Sequence, residues 1–383
     1  MTARRPVVNI NIVKPFLPSM EEIAPELGKI LQSGLVTNNS PYVRLFEEKL
    51  QQHFGSALRP TLFCNGEMGL YHLIQAWKHK MGYGPHETFE VLVPSFTFSG
   101  TVNAIVMNNL KPVFCDVDET FTLAVKKLVV DSPDIKMIVA VGAYGNLPDL
   151  ETLGRFADQH KLVLILDNAP AFGSKFRGRF PCTYGYSEMI SFHATKIFTS
   201  MEVGVDIVND PEIQDYLGRL RDYGQFEKVR GNIDLPGLNS KMQEISALVG
   251  LKNLEKVDFI LGSRLANVKR YCTHFEGLER GGLLKTMQVG EDVLCTYLYF
   301  PILLPGDATP FVDHMQRNGI AVRRYYTANH TLDFYRGRYR QQDLTVTDQI
   351  RDNIVSLPLH TVMSEAELGY LFEMASSYFA GTT

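Results

Sequence analysis

Short apolar runs alternate along the chain with segments whose apolar residues recur at helical spacing. Each run is three to six residues long and rich in Val, Ile, Leu and Phe, which is typical of a buried strand. Buried strands separated by helices indicate a mostly parallel sheet covered by helices on both faces, so the pattern predicts an α/β fold. The predicted strands are a brief one at 62–64 and longer ones at 91–94, 112–117, 137–141, 162–166, 189–192 and 205–208, and the predicted helices are 20–31, 43–54, 70–77, one after Ser99, 148–160 and 242–260.

The pattern changes in the last third of the chain. A strand is predicted at 293–300, a helix at 310–317, a short strand at 320–322 and a closing helix at 365–378, which together form a smaller α+β unit. A chain of 383 residues is also long for one domain. The sequence therefore predicts three parts, an N-terminal arm (1–14), a large domain (15–260) and a small C-terminal domain (261–383).

Composition excludes several classes of protein. Hydrophobic residues make up 45% and charged residues 21%, and the net charge is −4, which gives no electrostatic footprint for nucleic acid or an anionic membrane. The five cysteines are scattered and never spaced as C-x-x-C, so neither a disulfide framework nor a zinc site is expected. The N-terminus is too polar for a signal peptide, and no apolar run reaches the roughly 18 residues of a membrane span. A cytoplasmic protein without metal is predicted.

Two strand ends carry the candidate chemistry. Asp167 ends one apolar run, and Lys196 lies a few residues beyond the next run, which leads into Ser191. The carboxyl ends of neighbouring parallel strands face one crevice, where open α/β sheets bind ligands. An acid and a lysine in such a crevice suit pyridoxal phosphate, since the amine forms a Schiff base and the carboxylate keeps the pyridine nitrogen protonated. The strand–turn–helix at 62–77 is a second candidate, for phosphate, although an ordinary turn is the commoner interpretation.

These motifs resemble the DegT/DnrJ/EryC1/StrS family of sugar-nucleotide aminotransferases, which are fold type I pyridoxal phosphate enzymes. The Ser-Phe-His-Ala-Thr-Lys run at 191–196 is similar to the branch that acts on dTDP-4-keto-6-deoxyhexoses. The resemblance implies a large cofactor-binding domain followed by a smaller C-terminal domain. It covers nearly the whole chain, through the motifs at 15–18, 37–39, 93–98, 112–118, 144–146, 191–196, 237–242 and 356–360.

The resemblance implies a role for each matching residue of the cofactor site. Lys196 matches the Schiff-base lysine, which moves the proton between the C4′ carbon of the cofactor and the sugar carbon. Its presence argues against the dehydratase branch of the family, in which a histidine replaces the lysine. Asp167 matches the partner of the pyridine nitrogen. Ser191 and the backbone of Gly66 and Glu67 match the phosphate-binding residues.

The remaining matches concern the substrate and a second subunit. Phe98 matches an aromatic ring that lies against the pyridine face, with ordinary core packing as the alternative. Asn239 matches an asparagine that the neighbouring subunit contributes to the phosphate, which implies a homodimer with shared active sites. Arg323, Arg324 and Tyr325 are candidates for the nucleotide diphosphate, because arginine suits bidentate contacts with phosphate. A solvated strand edge is the alternative interpretation of these three residues.

The chain departs from the family pattern around the cofactor. Glu67 stands where relatives have a hydroxyl near the phosphate, and because two anions repel, the prediction is that its carboxylate points away while its N–H binds. Pro170 replaces a polar residue that contacts the ring hydroxyl. Where relatives have Glu-Gly-Gly after the lysine, this chain has Glu202, Val203 and Gly204. The histidine that precedes Tyr-Gly in the family is absent, since residues 142–143 are glycine and alanine. These departures put the strength of cofactor binding in doubt.

Two functions are compatible with these residues. The first is an aminotransferase that moves an amino group, in ping-pong order, from L-glutamate to a nucleotide-linked keto-sugar, with C4 of a dTDP-4-keto-6-deoxyhexose favoured over C3 of a 3-keto sugar. The second is a cofactor-impaired homologue that acts as a nucleotide-sugar-binding or regulatory partner protein. A dinucleotide-binding oxidoreductase is disfavoured, because no G-x-G-x-x-G follows the first strand. His193 and His360 are expected to be structural.

Overall fold

The computed structural model describes residues 9–226, 229–233 and 235–380, so the first eight residues of the predicted N-terminal arm lie outside the described part. The strands are β1 Thr61–Phe63, β2 Glu90–Pro94, β3 Lys111–Cys115, β4 Ile135–Val141, β5 Val163–Asp167, β6 Lys175–Phe176, β7 Ser187–Ser191, β8 Gly204–Ile207, β9 Gln225–Phe226, β10 Val229–Ile233, β11 Lys285–Thr286, β12 Val293–Leu294, β13 Phe300–Leu303 and β14 Ile354–Leu357. The helices are α1 Met20–Ser33, α2 Pro41–Phe54, α3 Gly66–Lys80, α4 Ser99–Met107, α5 Leu150–His160, α6 Pro211–Leu220, α7 Glu244–Leu254, α8 Val257–Arg280, α9 Thr309–Arg317, α10 Thr345–Ile350 and α11 Glu365–Ala380.

Seven strands form the central sheet, in the order β1-β8-β7-β5-β4-β2-β3. Five of them, β3, β2, β4, β5 and β7, run parallel, while β8 lies antiparallel between β7 and β1. The parallel strands are buried along almost their whole length, which explains their unbroken apolar sequence. In the register of β5 and β7, Asp167 pairs with Met189, so the carboxyl ends of the two strands lie side by side.

The first crossover from the sheet begins with a tight turn between β1 and α3. Asn65 caps the helix by accepting a hydrogen bond from the N–H of Met68. Two glycines allow this turn to approach the sheet closely. A Cβ at Gly66 would lie 2.9 Å from the Cβ of Ser191, and a Cβ at Gly204 would lie 2.2 Å from the carbonyl oxygen of Asn65. The N-terminus of α3 is therefore fixed against the ends of β7 and β8.

The prediction of one long helix at 242–260 is wrong. The structure has two helices there, α7 and α8, and the second continues to Arg280. The break lies at Glu255 and Lys256, where the backbone of Lys256 leaves the helical region at φ −115° and ψ 15°. The Lys256 ammonium is ion-paired with Glu22 of α1, which holds the break against the first helix. The predicted boundary at residue 260 falls inside α8, so the division into 15–260 and 261–383 stays a proposal.

The prediction of a continuous strand at 293–300 is also wrong. β12 and β13 are separate, and between them Tyr297 adopts a positive φ of 51°. The N–H of Leu298 donates to the carbonyl oxygen of Tyr144 at 2.7 Å, which draws this segment onto the large domain. The predicted short strand at 320–322 is reduced to a single bridge, which joins Ile320 to Ile10 of the N-terminal arm.

The C-terminal part has its own antiparallel sheet, in the order β11-β13-β14. Apolar residues of α8, α9 and α11 are buried with this sheet in one cluster, which includes Tyr271, Phe300, Phe311 and Leu371. Among the described residues, no helix combines the length and the apolar character that a bilayer crossing requires. The observed architecture is the predicted one, a mostly parallel sheet covered by helices with a smaller α+β unit.

A buried ion pair joins the first helices to the sheet. The guanidinium of Arg221 lies 2.6 Å from the carboxylate of Glu47, and both side chains are nearly inaccessible to solvent. Both groups also bond the backbone of Leu62 in β1. The N–H of Leu62 donates to the Glu47 carboxylate, and the Arg221 guanidinium donates to the carbonyl oxygen of Leu62. Because each charge has lost its water, each depends on the other.

Replacing Glu47 with Leu is expected to destabilise the protein by about 3–5 kcal/mol, since it leaves the Arg221 guanidinium buried without its partner. The double variant Glu47→Leu, Arg221→Leu is expected to lose clearly less than the sum of the two single variants. Urea denaturation of the three variants measures this difference. The exposed pair of Glu276 and Arg280 supplies the control, since Glu276→Leu is expected to change stability by at most about 1 kcal/mol. Additive effects at Glu47 and Arg221 would contradict the coupling.

Candidate active site

A cavity of about 320 Å³ opens at the carboxyl edge of the central sheet. Its walls are the ends of β5 and β7, the first turn of α3, the start of α4 and, from the C-terminal part, residues 298–299 and 325–326. The volume lies in the range of small-molecule sites, which are about 300–1,000 Å³. The cavity lies where open α/β sheets bind ligands.

Asp167 lies at the inner end of the cavity and is only 4% exposed. Its Oδ2 accepts a hydrogen bond of 2.6 Å from the hydroxyl of Thr101, and its Oδ1 accepts one of 3.1 Å from the N–H of Ala169. Burial raises the pKa of Asp167, against the opposing effects of these hydrogen bonds and of the Lys196 charge. A cation placed beside Asp167 would lower the pKa again, so the carboxylate is suited to hold a protonated ring nitrogen.

Lys196 reaches the same cavity from the turn beyond β7. Burial lowers the pKa of its amine, while the charges of Asp167 and Glu202 oppose this shift. A lowered pKa leaves a larger fraction of the amine neutral, and the neutral amine is the nucleophile. The structure therefore brings Lys196 and Asp167 to one cavity, as the sequence predicts.

The turn at the start of α3 is built to receive an anion. The first N–H groups of a helix cannot bond within it, and the helix dipole favours negative charge at this end. Gly66 and Glu67 begin the helix, and Ser191 lies so close that a Cβ on Gly66 would be 3.1 Å from the serine oxygen. All three residues line the cavity. A phosphate fits here, because the N–H groups of the helix start and the Ser191 hydroxyl border one cavity.

Phe98 and Tyr325 form an aromatic wall at the mouth of the cavity. Their rings are parallel to within 5° and their centroids are 6.5 Å apart. Phe98 is 52% exposed, so the alternative that it packs in the core is wrong. The ring is therefore free to lie against a flat group.

The other candidate substrate residues lie farther out. Arg324 lines an adjoining cavity of about 200 Å³ together with Phe98 and Tyr325, and its guanidinium is ion-paired with Asp307 at 2.6 Å. Arg323 is exposed, is not among the residues that line either cavity, and forms a β bridge with Ser356. Roles for these residues in binding a diphosphate stay predictions.

Asn239 lies apart from the cavity of its own chain. It is exposed, pairs with Asp222 in a β bridge and does not line the cavity among the described residues. The contact that the sequence predicts for Asn239 therefore requires a second subunit, and it too stays a prediction.

Comparison with known proteins identifies the family. The profile of the DegT/DnrJ/EryC1/StrS aminotransferase family matches residues 19–375. The chain belongs to this family. It is 29% identical to the dTDP-4-amino-4,6-dideoxy-D-glucose transaminase of Shigella dysenteriae, over 94% of this chain and 97% of that protein. It is 26% identical to the GDP-perosamine synthase of Escherichia coli O157:H7, over 97% of this chain and 99% of that protein.

A solved structure has the same fold. PseC of Helicobacter pylori, an aminotransferase involved in the biosynthesis of pseudoaminic acid, superposes with a TM-score of 0.88 at 20% identity, over 98% of this chain and all of that chain. The predicted family, fold class and enzyme class, a DegT/DnrJ/EryC1/StrS aminotransferase, are thereby confirmed.

The residues of the cavity fit the cofactor of this aminotransferase family. A carboxylate without a full cationic partner, an amine, and an anion-binding turn face one space of suitable volume. Asp167, Lys196 and the turn at 65–67 with Ser191 would hold the ring nitrogen, the aldehyde carbon and the phosphate, respectively, of pyridoxal phosphate.

The departure at Glu67 has a definite place in this family site. Its Oε1 lies 3.4 Å from the Nδ2 of Asn103, and its carboxyl carbon would be 3.6 Å from a Cβ on Gly100. The side chain therefore leans towards α4 rather than over its own helix start, although it still lines the cavity and is exposed. Its charge remains near any phosphate bound at Gly66.

Several residues of the site are not evident from the sequence. Thr101, the hydroxyl donor to Asp167, lies in the first turn of α4, and its hydroxyl is 3.2 Å from that of Thr97, which precedes the helix. Tyr299 and Tyr326 come from segments that are distant in sequence. His193, expected to be structural, lines the cavity.

His193 is held in one tautomer. Its Nδ1 accepts a hydrogen bond of 3.1 Å from the backbone N–H of Thr195. The same nitrogen lies 2.8 Å from the Thr195 hydroxyl. The ring proton is therefore on Nε2, which faces Glu202 at 3.2 Å. His360, by contrast, is buried away from the cavity, and burial lowers its pKa to about 4.

Replacing Thr101 with Val is expected to weaken pyridoxal phosphate binding about tenfold, or more, because it removes the hydroxyl that stabilises the Asp167 carboxylate, and hydrogen bonds to charged groups contribute about 1.5–3 kcal/mol. Titration of the apoprotein with the cofactor, followed by visible absorbance, measures the affinity. Thr101→Ser keeps the hydroxyl and is expected to bind nearly as well as the wild type. Equal affinity of the Val variant and the wild type would refute this role of Thr101.

Replacing Glu67 with Gln is expected to tighten cofactor binding roughly threefold to tenfold, because it removes a negative charge beside the phosphate turn and keeps the shape of the side chain. The gain is expected to shrink as salt is added, since exposed charges are screened. The same absorbance titration at low and high salt measures it, with the distant Glu276→Gln as the control. Weaker binding by Glu67→Gln would mean that the carboxylate itself holds the cofactor.

Proposed function

We propose that this protein is a pyridoxal phosphate-dependent aminotransferase that transfers an amino group from L-glutamate to a nucleotide-linked keto-sugar. The observation that carries the proposal is that Asp167, at the end of β5, and Lys196, in the turn beyond the adjacent parallel strand β7, line one cavity. Family membership supports the reaction class. The names of the relatives support the substrate class, since they include a dTDP-sugar transaminase and a GDP-sugar synthase.

The residues divide the work of the site between them. When bound, pyridoxal phosphate supplies a carbon that can carry the amino group and a ring that withdraws electrons from it. Asp167 holds the positive charge at the ring nitrogen, and Thr101 fixes the orientation of that carboxylate. Ser191 and the first N–H groups of α3 hold the phosphate.

Lys196 acts as both nucleophile and proton carrier. Its amine, with the lowered pKa, is neutral in a larger fraction than an exposed lysine, so it accepts a proton from the carbon of the amino donor. In the amino-donor half of the reaction, the resulting ammonium would return the proton to the cofactor carbon that carries the amino group, and in the sugar half Lys196 would move a proton from that carbon to the sugar carbon. Asp167 and Glu202 stabilise the ammonium between these events, because both carry negative charge close to it.

The favoured acceptor is C4 of a dTDP-4-keto-6-deoxyhexose. Support comes from the motif at 191–196 and from the name of the Shigella dysenteriae relative, which specifies a 4-amino dTDP sugar. Tyr325, next to Arg324 at the mouth of the cavity, is proposed to meet the nucleotide. A GDP-linked sugar is the other candidate.

A homodimer in the cytoplasm is proposed as the working form. Asn239 is exposed and apart from its own cavity, so it is available to the cavity of a second copy. Each site would then be complete only in the dimer.

The decisive experiment is a product assay. Purified protein is supplied with pyridoxal phosphate, L-glutamate and a panel of dTDP- and GDP-linked 3-keto and 4-keto sugars, and products are read by mass. The expected result is an amino sugar from the dTDP-4-keto-6-deoxyhexose, with loss of the violet absorbance on adding glutamate alone. Lys196→Ala is expected to abolish both. Loss of violet absorbance without any amino sugar would reject the substrate class.

The exposed carboxylate of Glu67 in the cavity favours a second candidate, a cofactor-impaired homologue that binds nucleotide sugars as a regulatory partner. A colourless protein that takes up no pyridoxal phosphate, yet binds a nucleotide sugar in calorimetry, would support it.

A further inference from the structure

A loop of the C-terminal part docks on the segment that leads into α4. Asn329 is fully buried, and its backbone N–H donates to the carbonyl oxygen of Ser95 at 2.8 Å. Its side-chain Nδ2 donates to the same carbonyl at 3.1 Å and to that of Thr97 at 2.8 Å. Next to it, Ala328 forms a β bridge with Phe96. The Asn329 side chain thus bonds two backbone carbonyls of the segment that precedes α4.

His330 adds a second link to the same segment. Its backbone N–H donates to the Ser95 oxygen at 3.1 Å, so the serine hydroxyl is free to donate to the ring Nδ1 at 2.8 Å. The ring proton then lies on Nε2, which faces the Asp348 carboxylate at 3.2 Å. In this tautomer Nδ1 accepts and Nε2 donates.

The contacts of Ser95, His330 and Asp348 resemble a hydrolytic triad. Ser95, however, is fully buried and lines neither the active-site cavity nor the adjoining cavity, as far as the described residues show. No substrate reaches its oxygen. The arrangement is a link between two parts of the chain.

The segment held by these links carries two groups of the active site. It runs directly into Phe98, at the mouth of the cavity, and into the first turn of α4. The single hydroxyl proton of Thr101 is given to Asp167, so the hydroxyl of Thr97, 3.2 Å away, donates to Thr101. A continuous chain of hydrogen bonds and backbone therefore leads from Asn329 to the carboxylate.

We propose that Asn329 and His330 are positioning residues, which act through Ser95 and Thr97 to hold Phe98 and Thr101 against the ring-binding end of the active site. The proposal rests on the proposed function, in which that end binds the pyridine ring. It makes cofactor binding depend on the docking of the C-terminal part. The region at 328–330 thereby belongs to the functional unit, although only its neighbours line the cavity.

The link through His330 depends on pH. The charged groups around its ring are Asp348 of α10, Arg351 after it, and Arg336 across a shared surface cavity. Burial lowers the pKa of His330, Arg351 acts in the same direction, and Asp348 opposes them. A protonated ring cannot accept from Ser95. The pKa of His330 is lower in the folded protein than in the unfolded chain. The link therefore contributes fully to stability above the unfolded-state pKa of His330, and this contribution is lost as the pH falls through the folded-state pKa.

The test compares four variants by two measurements. Hydrogen exchange of the backbone amides at 101–104 is measured in cofactor-free protein, and cofactor affinity is measured by absorbance between pH 5 and pH 8. Asn329→Ala is expected to speed the exchange at least tenfold and to weaken cofactor binding about tenfold. His330→Asn keeps an acceptor in place of Nδ1 and does not titrate, so it is expected to bind the cofactor like the wild type with less loss at low pH.

The other two variants separate positioning from general damage. Ser95→Ala removes only the hydroxyl link and is expected to show the exchange effect at 101–104 even if Asn329→Ala fails to fold. Asn353→Ala removes a side-chain hydrogen bond of similar type at an exposed site, to the carbonyl of Gln349, and is expected to change neither measurement.

Two outcomes would overturn the proposal. The first is faster exchange at 328–331 alone, with 101–104 unchanged, in both Asn329→Ala and Ser95→Ala. The second is unchanged cofactor affinity in a folded Asn329→Ala protein. If the wild type binds no cofactor, the proposed function fails, but the exchange at 101–104 still decides whether the loop positions α4.

Discussion

A carboxylate removed from water is the constraint on which the site depends. Burying an unpaired carboxylate costs several kcal/mol, and a protein tolerates it only where hydrogen bonds and an opposite charge compensate. Asp167 has one hydroxyl, one backbone N–H and the nearby Lys196 ammonium, and its pKa is still raised. A cationic ring nitrogen would complete the compensation. The sheet edge, the start of α4 and the loop at 328–330 all serve to hold this one group in place.

The second constraint is steric. The start of α3 must approach the ends of β7 and β8 closely enough for Ser191 and the helix N–H groups to meet one anion. Only glycine at 66 and 204 permits this, because a Cβ at either position would collide with Ser191 or with the backbone of Asn65. The approach of the start of α3 to the sheet is therefore set by these two close contacts.

The sequence predicts what depends on local periodicity and on strand ends. Buried strands are continuous apolar runs, so β2, β4 and β5 are found nearly at their true bounds, and Asp167 follows from the end of one of them. The prediction of one strand at 293–300 is wrong because this segment bonds a partner distant in sequence, through the N–H of Leu298 and the carbonyl of Tyr144. The break before α8 is not predicted because the contact found at it, an ion pair between Lys256 and Glu22, joins residues far apart in the sequence. The role of Thr101 is likewise the product of a tertiary contact, with Asp167, 66 residues away in the sequence.

The energetic effect of a departure from the family pattern depends on how far water screens the position. Glu67 is exposed, so water and salt screen its charge, and an exposed charge interacts by about 1 kcal/mol at close range. Asp167 and Lys196 lie where screening is weak, and there the same change of charge has a several-fold larger effect. The chain departs from the family pattern at the exposed Glu67 and also at Pro170, which is buried and lines the cavity, but it keeps Asp167 and Lys196. Variation of this kind changes how tightly the cofactor is held while leaving the chemistry in place, which favours an active enzyme over an impaired homologue.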